Sequence, residues 1–155
     1  KLQLEADQAK TFAHLSSGRV GAAMSLATDP QLQEQQQYAL DLLQDWLPAR
    51  KRDRLAALEK LLRKKNSPRE LAADLLPAWL SFWRDVLITA SGAEVPLVNL
   101  SFEQQIKKTA SKVPMPEIRH VLSLVEKAFG QIDGYINARL LLENLLLQFP
   151  QIETK

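Results

Sequence analysis

Apolar residues recur along this chain at spacings of three and four, the period of a helix with one buried face. No stretch sustains the alternation of a half-buried strand, and no Asn-Gly hairpin signal occurs. Leu32, Tyr38, Leu42, Leu43, Trp46 and Leu47 trace one such stripe after Thr28-Asp29-Pro30, and Pro48 closes it. Asp29 is the expected cap and Pro30 the first helical residue, where its missing N–H costs nothing. A second stripe (Leu55, Leu58, Leu61, Leu62) lies under a charged run from Lys51 to about Lys65. Ser67-Pro68 repeats the cap-then-proline signal and opens the most apolar segment, which reaches Ser91-Gly92 and holds Trp79, Phe82 and Trp83. It is the expected central core helix, with Pro77 kinking or dividing it.

Gly92 to Leu100 reads as the longest loop. Ser101 with Gln104 three residues on is the pattern of a capping box, predicting a helix to about Lys112. Pro114-Met115-Pro116 breaks the chain before a helix carrying Ile118, Val121, Leu122, Val125 and Phe129, with Gly134 as its expected end. A last helix covers Asn137 to Gln148. Two short helices are expected earlier, Leu4 to Leu15 and Ser17 to Leu26, separated by Ser16-Ser17-Gly18. The fold class is therefore all-α, a bundle of about six to eight helices. The opening KLQLEADQAK reads as already helical, so the chain is expected to be a piece of a longer protein.

Composition removes function classes more than it adds them. The 155 residues include no cysteine and only His14 and His120 as histidines, leaving no thiolate or histidine-rich metal site. Both histidines read as surface residues. No apolar run approaches the roughly 20 residues of a membrane span, and a reducing cytoplasm is the expected compartment. Phosphate loops, nucleophile elbows and paired metal-ligand motifs are all missing, so the chain itself is expected to be non-catalytic and to need no cofactor.

The formal charge is only +2, yet from Arg50 to Glu70 nine basic residues face three acidic ones. Arg50, Lys51, Arg52, Arg63, Lys64 and Lys65 are the candidate contacts to a phosphate backbone. No aromatic residue lies among them to stack on bases, and a charge run also suits a solvated helix face.

The last helix, YINARLLLENLLLQF, is the most unusual segment. Leu140, Leu141 and Leu142 are consecutive, so at about 100° per residue they cover most of its circumference. It is expected to be wrapped by its own domain, with one side free to meet another subunit.

Two segments carry a family resemblance. LSSGRVGAAMSLA (Leu15 to Ala27) looks like the last helix of the lid subdomain in AAA+ clamp-loader subunits, where a small-Gly-x-x-x-Ala pattern precedes the collar. YINARLLLENLLLQFP (Tyr135 to Pro150) is similar to the family's terminal signature. Together they resemble the clamp-loader subunits of bacterial DNA polymerase III, closest to delta-prime. The resemblance implies residues 1–28 as the end of the lid and 29–155 as a helical collar packing against four sister subunits. Gly21 stands where lid helices of active ATPase subunits carry a nucleotide-sensing arginine, which favours a subunit without ATPase activity. The implied partners are the ATPase and delta subunits, with Tyr135, Asn137, Arg139, Leu140, Glu143 and Asn144 as interface positions. Two other readings stay open: a nucleic-acid-binding helical domain using Arg50 to Arg69, and the collar of a related replication or repair ATPase.

Overall fold

Asp29 starts the first helix by accepting the Gln31 N–H on its carboxylate at 2.9 Å, with Pro30 in the first turn. This helix, α1 (Pro30–Trp46), opens a computed structural model that describes residues 28–65 and 67–153. Five more helices follow among the described residues: α2 (Lys51–Lys64), α3 (Pro68–Ser91), α4 (Glu103–Lys112), α5 (Met115–Gln131) and α6 (Ala138–Gln148). A single 3₁₀ turn, Leu100–Phe102, precedes α4, and no strand occurs among these residues. The all-α bundle expected from the periodicity is present. The two earliest expected helices, Gly21, His14 and the lid segment lie outside the described residues.

The axis of the bundle is α3. Its 24 residues span about 36 Å at 1.5 Å per residue, and α1, α4, α5 and α6 all pack on it. Ser67 caps it through the Glu70 N–H, and Gly92, at φ 71, ends it in the left-handed conformation that glycine adopts without strain. Trp79, Phe82 and Trp83 are fully buried there. Trp79 stands edge-on to Trp46 of α1, with ring centroids 6.0 Å apart, and to Phe149 at 5.5 Å. Its indole N–H donates to the Ala39 carbonyl, so the polar atom of this core residue is satisfied.

Pro77 leaves α3 undivided. It shares a face with Ala73 and Arg84, both exposed, so the Ala73 carbonyl that loses its helical partner lies on the solvent side. Water can satisfy it there, and the helix continues.

Two expectations about element ends are corrected. Ser101 is not a cap; it sits inside the 3₁₀ turn, and α4 begins at Glu103 without a side-chain cap bond. The buried carboxylate of Asp85 dictates this start, because it accepts the N–H groups of Val98 and Asn99 and the Asn99 amide. With Asn99 pinned and Phe102 buried, Ser101 is taken up in the 3₁₀ turn and Phe102 is the residue that precedes the helix. The second correction is α5, which ends at Gln131 rather than Gly134; Gly134 N–H instead closes a turn on the Gln131 carbonyl.

Candidate protein-interaction face

The outward side of α6 is built by its own sequence period. Ala138, Leu141, Leu142, Leu145 and Leu146 point into the bundle and are buried. Leu140, Asn144 and Leu147 follow i, i+4, i+7 spacing, so they line the opposite side in one stripe about 10 Å long. Asn137 stands at its head, where its carboxamide oxygen accepts the Leu140 N–H at 3.1 Å and fixes the start of the helix. Leu140 is 61% exposed and Leu147 39%. Two leucines left in water on an otherwise core-forming helix are the apolar centre of this face.

The stripe has an ionic flank. Arg139 Nε holds Glu143 at 2.9 Å along α6, and on the neighbouring α2 Arg63 holds Glu59 at 2.8 Å. The Glu143 partner pushes the Arg139 pKa up, with a smaller contribution from Glu59. Glu59 is held below the usual carboxylate range by its hydrogen bond and charge contact with Arg63, and Arg139 adds to this. The two pairs therefore sense one another across the α2–α6 boundary. On the other flank, His120 of α5 approaches Gln148 at 3.3 Å, and His120 is exposed as expected.

The six residues expected at an interface fall into three sets. Leu140 and Asn144 share the stripe with the cap Asn137, Arg139 and Glu143 form the flank toward α2, and Tyr135 stands apart in the turn between α5 and α6. Leu147 completes the stripe without having been among the expected positions, although its i+7 spacing from Leu140 is readable in the sequence.

The charges of the basic stretch are divided among several environments. Arg54, counted among its charges, is fully buried and donates to backbone carbonyls at the ends of α1 and α6. Arg69 likewise grips backbone carbonyls. Lys65 pairs with Asp74 at 2.6 Å, Arg63 with Glu59, and Arg52 lies 3.7 Å from Asp53. Arg50, Lys51 and Lys64 are exposed, but Arg50 and Lys51 stand at the head of α2, away from Lys64. The outer face of α2 thus mixes Arg52, Lys60, Arg63 and Lys64 with Asp53 and Glu59. Sequence counting missed this because burial of Arg54 and the reach of Arg69 depend on partners distant in the chain.

Among the described residues no cluster of histidine and carboxylate side chains could hold a metal ion, and no helix is long and apolar enough to cross a membrane. A family model described as DNA polymerase III, delta subunit, C terminal matches residues 30–151. No curated protein and no solved structure matched the chain.

Proposed function

The chain belongs to the family formed by the C-terminal domains of DNA polymerase III delta subunits, and from that premise we propose that its work is assembly. In this reading it is the collar domain of a clamp-loader protein, holding the loader together while its ATPase parts move. The observation that carries the reading is the exposed stripe of α6, where Leu140 and Leu147 stand in water on the most leucine-rich helix of the chain. Apolar side chains collected on one face mark a surface meant for a partner. A permanent interface of this kind buries about 2,000 Å² or more and is richer in apolar atoms than a transient one. The ionic pairs beside the stripe suit the rim of such a contact, where they set orientation more than affinity.

The finer reading is a delta-prime-like subunit, taken from the resemblance of the lid segment and the last helix. By that resemblance Gly21 aligns with the nucleotide-sensing arginine of ATPase lid helices, which favours a subunit without ATPase activity over the ATPase subunit. The parent protein then joins the ring without hydrolysing ATP, and its neighbours are the ATPase and delta subunits.

Light scattering on a sizing column tests both levels. The chain alone and the chain mixed with the ATPase and delta subunits of the same loader are compared. One complex containing all three supports the assembly reading and the delta-prime assignment. Displacement of the delta subunit by this chain would place it as delta itself. A chain that remains separate from every loader subunit would overturn the assembly reading.

A further inference from the structure

Helix α2 has little apolar burial of its own. Of its 14 residues only Arg54 and Leu58 are buried, whereas α3 buries twelve, and α2 packs chiefly on α6. Ala57, Leu61 and Leu62 are half covered. So small an apolar area leaves much of the attachment of α2 to polar contacts. Their centre is the Arg54 guanidinium, and the segment that follows α6 completes them. There Phe149 and Pro150 offer carbonyls to Arg54 at 2.7 and 2.8 Å. Ile152 N–H donates to the Leu47 carbonyl at 2.9 Å, in the turn that leads into α2, and the Ile152 side chain is buried. Gln151 reaches the Pro48 carbonyl at 3.3 Å, and Lys112, at the end of α4, holds the Glu153 carbonyl at 2.6 Å.

We propose that α2 and residues 150–153 form a clasp, a unit that opens and closes as one while α1, α3 and α5 stay packed. The inference goes beyond the assembly reading and does not depend on it. The closest packing in the bundle, that of α3 with α1 and α5, does not involve α2. Phe149 stays with this core, its ring 5.5 Å from Trp79 and 5.7 Å from Trp83, and so sets the near limit of the moving segment. Cooperativity follows from the guanidinium. A buried charge that keeps only some of its acceptors costs more than one fully paired or fully in water, so Arg54 releases its carbonyls together. Once they are released, Leu58 is the one fully buried apolar side chain that still anchors α2.

Amide exchange of the whole chain in rising urea tests the clasp, because each cooperative unit shows its own opening free energy and urea slope. Ile152 N–H, bonded across to Leu47, reports the segment directly. It should share one opening free energy and one slope with the amides of residues 58–63, both lower than those of residues 79–86 in the core of α3. If the α2 amides follow the α3 isotherm instead, no separate unit exists and the proposal is overturned. It is overturned equally if α2 exchanges while Ile152 stays protected, since helix and segment then move apart. Ile152→Ala keeps the reporting N–H and removes the buried side chain. It should speed exchange along α2 about thirtyfold, the low end for truncating a buried isoleucine. An unchanged α2 rate in a variant that circular dichroism shows to be folded means that the segment does not hold α2, and the clasp fails. Should the variant not fold, the isotherms of the native chain decide alone.

Discussion

Arg54, near the start of α2, donates from Nη1 to the carbonyl of Phe149 at 2.7 Å, joining residues 95 positions apart in the chain. The same nitrogen reaches the Leu146 carbonyl, Nη2 reaches those of Leu47 and Pro150, and Nε–H is shared between Trp46 and Ala49. All six carbonyls lie at or just past the ends of α1 and α6, where backbone oxygens have no helical partner and the helix dipole is negative. Two helix termini are thus closed by one fully buried side chain. Burial lowers the Arg54 pKa from its ordinary value, yet a guanidinium starts so high that it keeps its charge.

Replacing Arg54 by methionine should therefore cost about 3–5 kcal/mol, because a buried charge that closes two helix ends is lost and the carbonyls of Leu146 and Phe149 lose a buried donor. Arg54→Lys should recover little of this, since an ammonium has three donors and no planar fork. Urea unfolding reads the loss as a lower midpoint at an unchanged slope. A lysine variant as stable as the native chain would show that charge, not the fork, closes the two ends.

Arg54 also marks the boundary of what the chain discloses before its structure is known. Asp29-Pro30 and Ser67-Pro68 announce α1 and α3 correctly because a cap and a first-turn proline act within three residues of one another. Trp79, Phe82 and Trp83 are legible as core from the apolar density around them. Arg54 is not, since in sequence it stands among solvated charges and its partners at Leu146 and Phe149 lie at the far end of the chain. Ser101 misleads for the same reason: its local pattern is a cap, but Asp85 on α3 fixes the backbone just before it. The stripe on α6 is half readable. Three successive leucines force at least one outward and Leu147 follows Leu140 at i+7, but which side of α6 faces out is settled only by its buried set.

The Asp85 carboxylate accepts four hydrogen bonds from Val98 and Asn99 and is the main polar hold on the long connection between α3 and α4. Asp85→Ala leaves those N–H groups without an acceptor and is expected to cost about 2–3 kcal/mol. Asn99 also donates to Ser81 at 2.8 Å, which holds part of the connection even then. Amide exchange at Val98 and Asn99 should accelerate more than at the core of α3, since local opening precedes global unfolding. Uniform acceleration throughout the chain would show that Asp85 supports the whole bundle.

On the outer face of α2 the charges of Arg52, Lys60, Arg63 and Lys64 are offset by Asp53 and Glu59. A net excess of about two cations predicts a duplex-DNA affinity whose logarithm falls with log salt at a slope no steeper than about −2. Converting Arg63, Lys64 and Lys65 to glutamate should change that weak affinity little on an absolute scale. A slope of about −5 or steeper, removed by these substitutions, would restore the reading of this stretch as a nucleic-acid surface.

Neighbouring leucines on α6 should separate assembly from folding. Leu142 is fully buried, and Leu142→Ala is expected to destabilise the chain by about 2–5 kcal/mol through the cavity it leaves. Leu140, mostly exposed, makes little contribution to that core, so Leu140→Asp should leave the unfolding free energy within about 0.5 kcal/mol of native. If the stripe is the contact, the same substitution buries a charge at an apolar centre and abolishes co-migration with the ATPase subunit. Leu147→Asp should weaken the complex in the same direction but less, because Leu147 is already partly covered by its own chain. Circular dichroism confirms that each variant is folded before it is mixed. A folded Leu140→Asp chain that still enters the loader would move the interface off this face of α6, and Leu142→Ala then serves as the control showing that lost assembly can arise from lost stability alone.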